Sequence, residues 1–578
     1  MTAQTPIAPD PHAKDVILAA EHLSIDFTLR THILHAVRDV SLTLHRGRTL
    51  CLVGESGSGK SVTARALMRL IEKPGKIVSG RIELDVDGKK VEIDKLSDTA
   101  REMRAIRGRR IGLIFQEPMS SLSPVHTIGS QIVEALRLHR PLSKKEARAE
   151  TIELLRQVEI PNPDKMLDRY TFEFSGGMRQ RAMIAMALAC NPDILIADEP
   201  TTALDVTTQA EILDLIKRLQ VSRGMAMLLI THDMGVVAET ADDVAVMRFG
   251  RIVERGSVDE IFHQAKHPYT KRLLASTLKL EGGAAREKPP APTPAPLPIL
   301  SVKNLAKGFG TGGKWFGKPG FVIKAVDDVS LDLLPGENLG IVGESGSGKT
   351  TLGRLILRIV EPSSGEVVYR GRDGGEREVT AMGKAELRAF HQDVRLIFQD
   401  PFASLNPRMT IREIVGDPLV VSGRLRGRAL DERVAELLAM VGLDPAAMER
   451  YPHAFSGGQR QRIGIARALA LDPRIIIADE ATSALDVSIR SQVLDLMLEL
   501  QKRLGLSFIF ISHDISVVRY FCDRVAVMHR GKVVEIGDAE QICTNPREPY
   551  TQMLISAVPN PDPRNKRMLH RVRASREP

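Results

Sequence analysis

The chain carries the same set of sequence blocks twice, in the same order. GESGSGKS begins at Gly54 and GESGSGKT at Gly343, and each is followed by an FSGG block, an IADE block and an HD pair. The copies are 289 residues apart at the first block and 281 residues apart at the next three. A constant offset over the last three blocks indicates a duplicated domain. The 578 residues are therefore predicted to fold as two copies of one domain.

The two copies meet at a segment rich in proline and alanine, EGGAAREKPPAPTPAPLP, residues 281–298. This composition without apolar periodicity predicts a semi-rigid, extended linker. Such a linker keeps two domains at a high effective concentration. We predict a first domain of residues 1–280, a linker of residues 281–298, and a second domain of residues 299–578 that ends in a basic tail.

Short apolar runs precede the repeated blocks, and segments with helical periodicity lie between them. Apolar strands that alternate with helices are typical of a parallel sheet buried on both faces, so an α/β fold is expected. The helical periodicity between the first two blocks predicts a helical subdomain in each half. The predicted strands are Leu50–Val53, Ile194–Ala197, Met225–Ile230, Leu339–Val342, Ile475–Ala478 and Phe508–Ile511, and the predicted helices include Lys144–Val158 and Asp431–Val441.

The first repeated block is a phosphate-binding loop, because G-x-x-x-x-G-K-[ST] follows a strand and precedes a helical segment. Its glycines allow successive N–H groups to point inward at phosphate oxygens. The lysine would neutralise the β- and γ-phosphates, and the following hydroxyl would bind Mg²⁺. The candidate residues are Gly54, Ser56, Gly57, Gly59, Lys60 and Ser61 in the first half, and Gly343, Ser345, Gly346, Gly348, Lys349 and Thr350 in the second.

Two acidic residues follow a predicted strand in each half. Asp198 and Asp479 come directly after the apolar runs, where a carboxylate reaches a metal ion held by the neighbouring loop. The next residues, Glu199 and Glu480, are better placed to act as a general base on the attacking water. Paired acids at a strand end are often only solvated, so the assignment depends on the phosphate-binding loops upstream.

The Ser-Gly-Gly blocks between the lysine loop and the acidic strand resemble the signature motif of ATP-binding cassette (ABC) ATPases. They are Ser175-Gly176-Gly177 and Ser456-Gly457-Gly458. The resemblance implies two tandem P-loop NTPase domains, each with a RecA-like core, a helical subdomain and a small antiparallel β region. It also implies two composite ATP sites, in which Lys60 shares a nucleotide with the second signature and Lys349 with the first. The helices after the signatures are predicted to begin at Arg179 and Arg460, each as an anion-binding N-terminus.

Further site residues follow from the same resemblance, position by position. The glutamines would sense Mg²⁺ and the attacking water, the aspartates would couple the two sites, the histidines would contact the γ-phosphate, and the phenylalanines would stack on adenine. These residues are Gln116 and Gln399, Asp205 and Asp486, His232 and His513, and Phe27 and Phe309. Met178 and Ala481 depart from the usual pattern, which puts equal turnover at the two sites in doubt.

Three features resemble the oligopeptide, dipeptide and nickel importer branch of this family. They are the GESGSGK loops, the FQEP and FQDP segments with their continuations, and the tails HPYTKRLL from His267 and EPYTQMLI from Glu548. The branch implies an ATPase using ATP and Mg²⁺, and two transmembrane permease subunits as partners. It also implies an extracytoplasmic solute-binding protein and a peripheral location on the cytoplasmic face of the inner membrane. The tail has no cysteine cluster, so we expect no iron–sulfur cluster.

A soluble tandem-cassette translation factor acting on ribosomes is the alternative, since the net charge of +8 would suit RNA. That class usually joins its cassettes by a long charged helix and has no use for HPYT tails, so no nucleic-acid partner is expected. A DNA-repair ATPase would need zinc-binding cysteines or coiled coils, whereas the four cysteines here have no metal-site spacing and fit reduced thiols. The basic segment from Arg564 would either contact anionic lipid or remain a solvated tail.

Overall fold

The structure is a computed structural model that describes residues 15–202, 204–281, 296–310, 322–400, 402–483, 485–568 and 571. The chain divides into two compact units. Unit 1 consists of Met1–Leu204, Thr208–Ala275 and Pro559–His570, and unit 2 consists of Asp205–Thr207, Ser276–Val558 and Arg571–Pro578. Most of the predicted linker, and Trp315 in the insertion after Phe309, lie outside the described residues.

The first half alternates strands and helices after an initial pair of long strands. Its strands are β1 (Val16–Thr28), β2 (Ile33–His45), β3 (Thr49–Val53), β4 (Gly75–Val86), β5 (Lys89–Glu92), β6 (Ile111–Ile114), β7 (Ile194–Asp198), β8 (Ala226–Thr231), β9 (Asp243–Arg248) and β10 (Arg251–Ser257). Its helices are α1 (Lys60–Leu67), α2 (Arg101–Ile106), α3 (Pro118–Ser121), α4 (Ile128–His139), α5 (Lys144–Gln157), α6 (Pro163–Met166), α7 (Gly176–Leu188), α8 (Val206–Arg223), α9 (Met234–Thr240), α10 (Val258–His263) and α11 (Pro268–Glu281).

The second half repeats this order. Its strands are β11 (Leu300–Gly310), β12 (Val322–Leu333), β13 (Asn338–Val342), β14 (Ser364–Arg370), β15 (Glu376–Glu378), β16 (Val394–Ile397), β17 (Ile475–Asp479), β18 (Ser507–Ile511), β19 (Arg524–His529) and β20 (Lys532–Asp538). Its helices are α12 (Lys349–Ile356), α13 (Lys384–Asp393), α14 (Ile411–Val421), α15 (Gly427–Met440), α16 (Gly457–Leu469), α17 (Val487–Leu504), α18 (Ile515–Phe521), α19 (Ala539–Thr544) and α20 (Pro549–Ser556).

Among the described residues, each half contains a six-stranded sheet and a four-stranded sheet. The larger sheet of the first half has the order β10-β9-β3-β8-β7-β6, and that of the second half has the order β16-β17-β18-β13-β19-β20. Its strands pair in parallel except for the hairpins β9–β10 and β19–β20. The smaller sheets, β2-β1-β4-β5 and β12-β11-β14-β15, are antiparallel. The predicted α/β fold with a small antiparallel region is confirmed.

The central strands of the larger sheets are continuous apolar runs, and this explains their position. Every residue of β3, β7, β13 and β17 is buried. Strands of this kind need cover on both faces, which helices supply in a parallel sheet. Because these strands run parallel, the carboxyl ends of β3 and β7 lie at the same edge of one sheet. Those of β13 and β17 lie at the same edge of the other sheet. The loops that follow the strands can converge there.

The segment at the chain's end is part of unit 1. The buried carboxylate of Glu239 on α9 accepts backbone N–H bonds from Asn560 at 3.1 Å, Arg567 at 2.8 Å and Met568 at 2.9 Å. Arg564 forms a bidentate pair with Asp259 at 2.7 and 2.9 Å. The expectation of a solvated tail is therefore wrong for residues 567 and 568, because a buried carboxylate binds their backbone N–H groups, and contact of the basic segment with anionic lipid stays a prediction.

The end of α11 groups with unit 2 in a similar way. Lys279 pairs with Asp495 at 2.6 Å, and its ammonium lies 5.4 Å from the ring centroid of Tyr520 on α18. Leu280 joins the apolar core of that unit. The end of α11 thus contacts α18, the helix that follows the second HD pair. The chain's final segment likewise contacts α9, the helix that follows the first HD pair.

Candidate nucleotide site

The phosphate-binding loop of each half connects the carboxyl end of a central strand to a helix. The loop follows β3 and leads into α1, and its counterpart follows β13 and leads into α12. Gly59 precedes α1 with φ 102°, and a Cβ there would lie 2.5 Å from the carbonyl oxygen of Ala36. Gly348 repeats this with φ 104° and 2.1 Å to the carbonyl oxygen of Ala325. Only glycine fits at this entry into the helix, whose first N–H groups are left for an anion.

The loop lysines are buried and lie against their own loops. Lys60 Nζ donates to the carbonyl oxygens of Gly54 at 2.7 Å and Glu55 at 3.0 Å. Lys349 Nζ donates to those of Gly343 and Glu344, both at 2.8 Å. Burial lowers the pKa of Lys349, and the nearby carboxylates, Glu480 first, oppose this shift. An ammonium group held in this way is available to a phosphate that enters the loop.

A hydroxyl and a carboxylate converge beside each loop. Ser61 Oγ donates to Asp198 Oδ1 at 2.9 Å, and Thr350 Oγ1 donates to Asp479 Oδ1 at 3.1 Å. Burial raises the pKa of both aspartates, and the hydroxyl hydrogen bonds oppose the shift. A buried carboxylate whose charge is poorly compensated, next to a hydroxyl oxygen, is a donor set that suits a hard divalent cation.

Glu199 lies at the centre of a hydrogen-bonded cluster. Its carboxylate accepts from Gln116 Nε2 at 2.9 Å and from Thr202 Oγ1 at 2.9 Å, and it lies 3.3 Å from His232 Nδ1. The backbone of Glu199 has φ 47°, in the left-handed region that is uncommon for residues other than glycine. Such backbone conformations recur at functional sites. The three predicted residues Gln116, Glu199 and His232 are thus brought together by the loops after β6, β7 and β8.

The second half repeats the cluster with one change. Glu480 also has φ 47°, accepts from Gln399 Nε2 at 2.7 Å and lies 3.3 Å from His513 Nδ1. Ser483 takes the place of Thr202, but its hydroxyl donates to the backbone carbonyl of Glu480 at 2.9 Å instead of the carboxylate. The two carboxylates therefore differ by one hydroxyl donor.

Both glutamates are held ionised. Burial opposes the charge of Glu199, but the hydrogen bond and charge of His232, with Thr202 and Lys60, outweigh burial and lower its pKa to about 2. Burial likewise opposes the charge of Glu480, and His513, Lys349 and Gln399 lower its pKa. At neutral pH each carboxylate is therefore in the state that accepts a proton.

The signature serines cap the helices that follow them. Ser175 Oγ accepts from Met178 N at 3.3 Å, and Ser456 Oγ accepts from Gln459 N at 3.4 Å. The helices α7 and α16 begin at Gly176 and Gly457, so the predicted starts at Arg179 and Arg460 are wrong. A serine N-cap orders the first turn even though glycine is a poor helix former. Gly176, Gly177, Gly457 and Gly458 therefore form this first turn.

The two phenylalanines proposed for adenine lie in different surroundings. Phe27, near the end of β1, is partly buried against the apolar core of unit 1. Phe309, near the end of β11, is 48% exposed, and Lys307 Nζ lies 5.5 Å from its ring centroid. Stacking on adenine stays a prediction for both, and Phe309 has the more accessible ring.

Asp205 and Asp486 follow the acidic strands of the two halves. Asp205 belongs to unit 2, where its Oδ2 accepts from Ser345 N at 3.4 Å and its Oδ1 accepts from Thr207 Oγ1 at 2.8 Å. Asp486 is the residue before α17, and its carbonyl oxygen accepts from Arg490 N at 2.8 Å. A role in coupling two sites stays a prediction for both aspartates. The exposed residues of the phosphate-binding loops are Ser56 and Gly57 in the first half, and Ser345 and Gly346 in the second.

Some residues near the site escaped the sequence analysis. Thr202 is one, and the tyrosines of the PYT segments, Tyr269 and Tyr550, are others, because their hydroxyls bond to the phosphate-binding loops. The signal for the tyrosines was present, since HPYT and EPYT recur at the 281-residue offset of the catalytic blocks.

Comparison with known proteins agrees with this geometry. Residues 37–202 and 326–483 match the family described as ABC transporter. The chain belongs to the ABC transporter family. Residues 253–300 and 534–577 match the family described as oligopeptide/dipeptide transporter, C-terminal region. This ABC protein therefore has two fused ATP-binding cassettes, and it is an ATPase of the importer type instead of a translation factor.

Individual relatives span nearly the whole chain. The glutathione import ATP-binding proteins GsiA of Escherichia coli O1:K1 / APEC and of Shigella boydii serotype 4 (strain Sb227) are each 48% identical over 581 residues, covering 96% of this chain and 92% of the relative. A solved structure described as a dimeric post-hydrolysis state of the ATP-binding cassette MJ0796 with ADP and Pi is 31% identical, with a TM-score of 0.36 over 42% of this chain and 99% of that chain.

As the ATP-binding subunit of an ABC importer, the chain works with membrane permease subunits. Among the described residues, no helix is both long enough and apolar enough to cross a membrane.

Proposed function

We propose that this chain powers the uptake of short peptides or a related small solute, with glutathione as the first cargo to test. Two permease subunits would form the pathway, and an extracytoplasmic solute-binding protein would deliver the cargo. The ATPase would lie peripherally on the cytoplasmic face of the inner membrane. The observation that carries the proposal is the oligopeptide/dipeptide transporter C-terminal region, which follows the ATPase core in both halves. The GsiA relatives support a peptide cargo, since glutathione is a tripeptide.

We further propose that the chain forms two composite ATP sites. The loop of Lys60 would share a nucleotide with Ser456-Gly457-Gly458, and the loop of Lys349 with Ser175-Gly176-Gly177. The support is that both serines are exposed N-caps of helices, which leaves N–H groups of the first turn available to a phosphate. Asp205 and Asp486 would transmit the state of one site to the other.

Mg²⁺ would be held by Ser61, Asp198 and Gln116 in one site and by Thr350, Asp479 and Gln399 in the other. Their oxygen atoms suit this ion, and each aspartate is buried with a raised pKa. Bound Mg²⁺ would supply charge that offsets the phosphates. Lys60 and Lys349 would bind phosphate oxygens, while Glu199 and Glu480 would orient water and accept its proton. His232 and His513, each 3.3 Å from a glutamate, would hold the carboxylates in place beside the γ-phosphate.

Both sites are proposed to hydrolyse ATP. The support is the repeated geometry, in which the glutamine–glutamate distances are 2.9 and 2.7 Å and the histidine–glutamate distances are both 3.3 Å. The matching change at each site is Glu→Gln, which keeps the shape of the side chain and removes the base. Glu199→Gln and Glu480→Gln should each strongly reduce ATPase activity if the sites are tightly coupled. Most of the activity surviving either change would contradict that coupling.

The partner proposal is tested by affinity purification from native membranes. A tagged Glu199→Gln/Glu480→Gln chain with ATP and Mg²⁺ should be trapped with two multi-span membrane proteins. The exposed pair Glu72 and Glu361, which occupy equivalent positions in the two halves, provides a matched Glu→Gln control that should keep its ATPase activity and co-purify the same two proteins in smaller amount. Ribosomal proteins without permeases would refute the proposal. Uptake of labelled glutathione and of a labelled dipeptide by cells with and without the gene would then identify the cargo.

The permease contact is proposed for the segments after Gln116 and Gln399, which would meet short cytoplasmic helices of the permease. Large apolar side chains are exposed there, with Val125 73% and Phe402 55% accessible. Val125→Asp/Phe402→Asp should abolish co-purification of the permeases and leave basal ATPase activity. Val78→Asp, a change at a 55% exposed valine on β4, is the control and should retain them.

A further inference from the structure

The two halves share a PYT segment outside the nucleotide-binding blocks. Pro268-Tyr269-Thr270 opens α11, and Pro549-Tyr550-Thr551 opens α20. Both segments lie in the oligopeptide/dipeptide transporter C-terminal region, downstream of the ABC transporter match. None of the catalytic roles described above uses them.

Each tyrosine hydroxyl contacts the start of the phosphate-binding loop in its own half. The backbone N–H of Glu55 donates to Tyr269 Oη at 3.1 Å, and the backbone N–H of Glu344 donates to Tyr550 Oη at 3.1 Å. The same distance at both sites shows that the contact is a repeated feature of the cassette.

The peptide group that binds the tyrosine also binds the loop lysine. The Gly54–Glu55 peptide offers its carbonyl oxygen to Lys60 Nζ at 2.7 Å and its N–H to Tyr269. The Gly343–Glu344 peptide likewise offers its carbonyl oxygen to Lys349 Nζ at 2.8 Å and its N–H to Tyr550. One planar group therefore connects the tyrosine to the phosphate-binding lysine, and its orientation fixes both contacts.

The strand beside the loop limits how this peptide can move. Gly54 has φ 151°, and a Cβ there would lie 2.2 Å from the carbonyl oxygen of Met247 on β9. Gly343 has φ 152° and the same clearance from Met528 on β19. The loop therefore starts in close contact with backbone on one side, and the tyrosine hydroxyl holds the adjoining N–H.

The tyrosine rings are themselves held in place. The guanidinium carbon of Arg248 lies 4.8 Å from the ring centroid of Tyr269, and the ring of His529 stacks on that of Tyr550 at 3.9 Å and 15°. Tyr269 is only 3% exposed. A well-packed ring places its hydroxyl accurately, as a positioning role requires.

The turns before the tyrosines are anchored in the same manner in both halves. Glu254 on β10 accepts from Lys266 N at 2.6 Å and His267 N at 3.2 Å. Glu535 on β20 accepts from Arg547 N at 2.9 Å and Glu548 N at 3.2 Å. A carboxylate that accepts two N–H groups fixes the start of each helix, and with it the tyrosine.

We propose that Tyr269 and Tyr550 are positioning residues for ATP binding. Each hydroxyl orients the first peptide of a phosphate-binding loop, so that the loop and its lysine are preorganised for the phosphates. When the lysine moves from the loop carbonyl to a phosphate, the tyrosine hydrogen bond keeps that peptide in place. The C-terminal region of this branch thereby becomes part of the nucleotide site.

The test is Tyr269→Phe/Tyr550→Phe in the full chain, which removes two hydroxyls and retains both rings. The dissociation constant for ATP should rise about fivefold, as expected for the loss of one hydrogen bond at each site. The KM for ATP should rise by the same factor, and kcat at saturating ATP should stay within about twofold. Amide hydrogen exchange should accelerate in the peptides that contain Glu55 and Glu344. No permease or cargo is needed, so the result is independent of the transport assignment.

Tyr369→Phe is the matched control, because the Tyr369 hydroxyl is also bonded, to Asp393 at 2.9 Å, but lies on the antiparallel sheet. It should leave the affinity for ATP unchanged. An unchanged affinity and exchange rate in the double phenylalanine variant would overturn the proposal and leave the tyrosines as packing residues. Should that variant unfold, Arg248→Ala/His529→Ala provides the second test, since it frees the rings and retains the hydroxyls. It should weaken ATP binding about twofold, and an unchanged affinity there would also overturn the proposal.

Discussion

The contact between Glu239 and the C-terminal segment predicts that Glu239→Leu has opposite effects on stability in the full chain and in a chain truncated after Val558. The Glu239 carboxylate is fully buried on α9 and accepts three backbone N–H groups from residues 560, 567 and 568. Truncation after Val558 removes all three donors. It also removes Met568, whose side chain is fully buried.

The expected loss of stability follows from these contacts. Removing the partners of a buried charge costs about 3–5 kcal/mol, and exposing the site of a buried methionine costs about 1.5–3 kcal/mol. The exposed pair of Arg564 with Asp259 adds at most about 1 kcal/mol. Water that enters the vacated site recovers part of this sum, so we expect about 4 kcal/mol, or about 10 °C in the Tm of a domain of this size.

The assay is a double-mutant cycle read by thermal unfolding, with truncation after Val558 and Glu239→Leu as its two changes. In the full chain, Glu239→Leu should destabilise, because it leaves three backbone N–H groups, that of the buried Met568 among them, without their acceptor. In the truncated chain, the same substitution should stabilise, because the carboxylate has already lost its donors. Truncation after Arg571 is the control and should leave Tm near that of the full chain. Effects of the same sign in both backgrounds would refute the reasoning.

Three further outcomes are expected. The pKa of Glu199 is lowered to about 2, so its contribution to stability is complete above pH 4.5 and lost as pH falls toward 2; in urea unfolding, Glu199→Gln should show a smaller loss of stability between pH 5 and pH 3 than the unmodified chain. Burial raises the pKa of Cys51 and of Cys543 to about 12, so alkylation at pH 8 should be slow in the native chain and fast in urea, and fast labelling of the native chain would contradict this. Ser175→Ala and Ser456→Ala each remove an N-cap and should each cost about 1 kcal/mol and weaken ATP binding, as measured by denaturant unfolding and titration with ATP.

The parts of the fold that depend on short-range pattern were predictable from the sequence. The predicted strand Ile194–Ala197 is β7, and the predicted helix Lys144–Val158 is α5, each within about a residue of its ends. A run of apolar residues that ends at two acids has few alternatives to a buried strand. The convergence of Gln116, Glu199 and His232 was not visible in the pattern itself and was reached through the family resemblance.

Other features depend on contacts between residues far apart in sequence. Nothing in the local sequence of Glu239 shows that it is buried with the backbone of residue 568, more than 300 positions away. The basic composition of the tail favoured a solvated segment, whereas one buried carboxylate binds the backbone of residues 567 and 568. The start of α7 was misjudged for a different reason, since the low helix propensity of Gly176 and Gly177 hid the N-cap at Ser175.

The duplication allows each contact to be judged against a second copy in the same chain. The tyrosine–loop contact has the same 3.1 Å in both halves, although the group that stacks on the ring is Arg248 in one and His529 in the other. The hydroxyl is therefore the feature that both loops use, and the stacking group is free to vary as long as it holds the ring. The hydroxyl beside the general base shows the opposite pattern, because Thr202 donates to the carboxylate of Glu199 and Ser483 does not donate to that of Glu480. That donor is dispensable to the shared geometry, and it is the place where the chemistry of the two sites should differ.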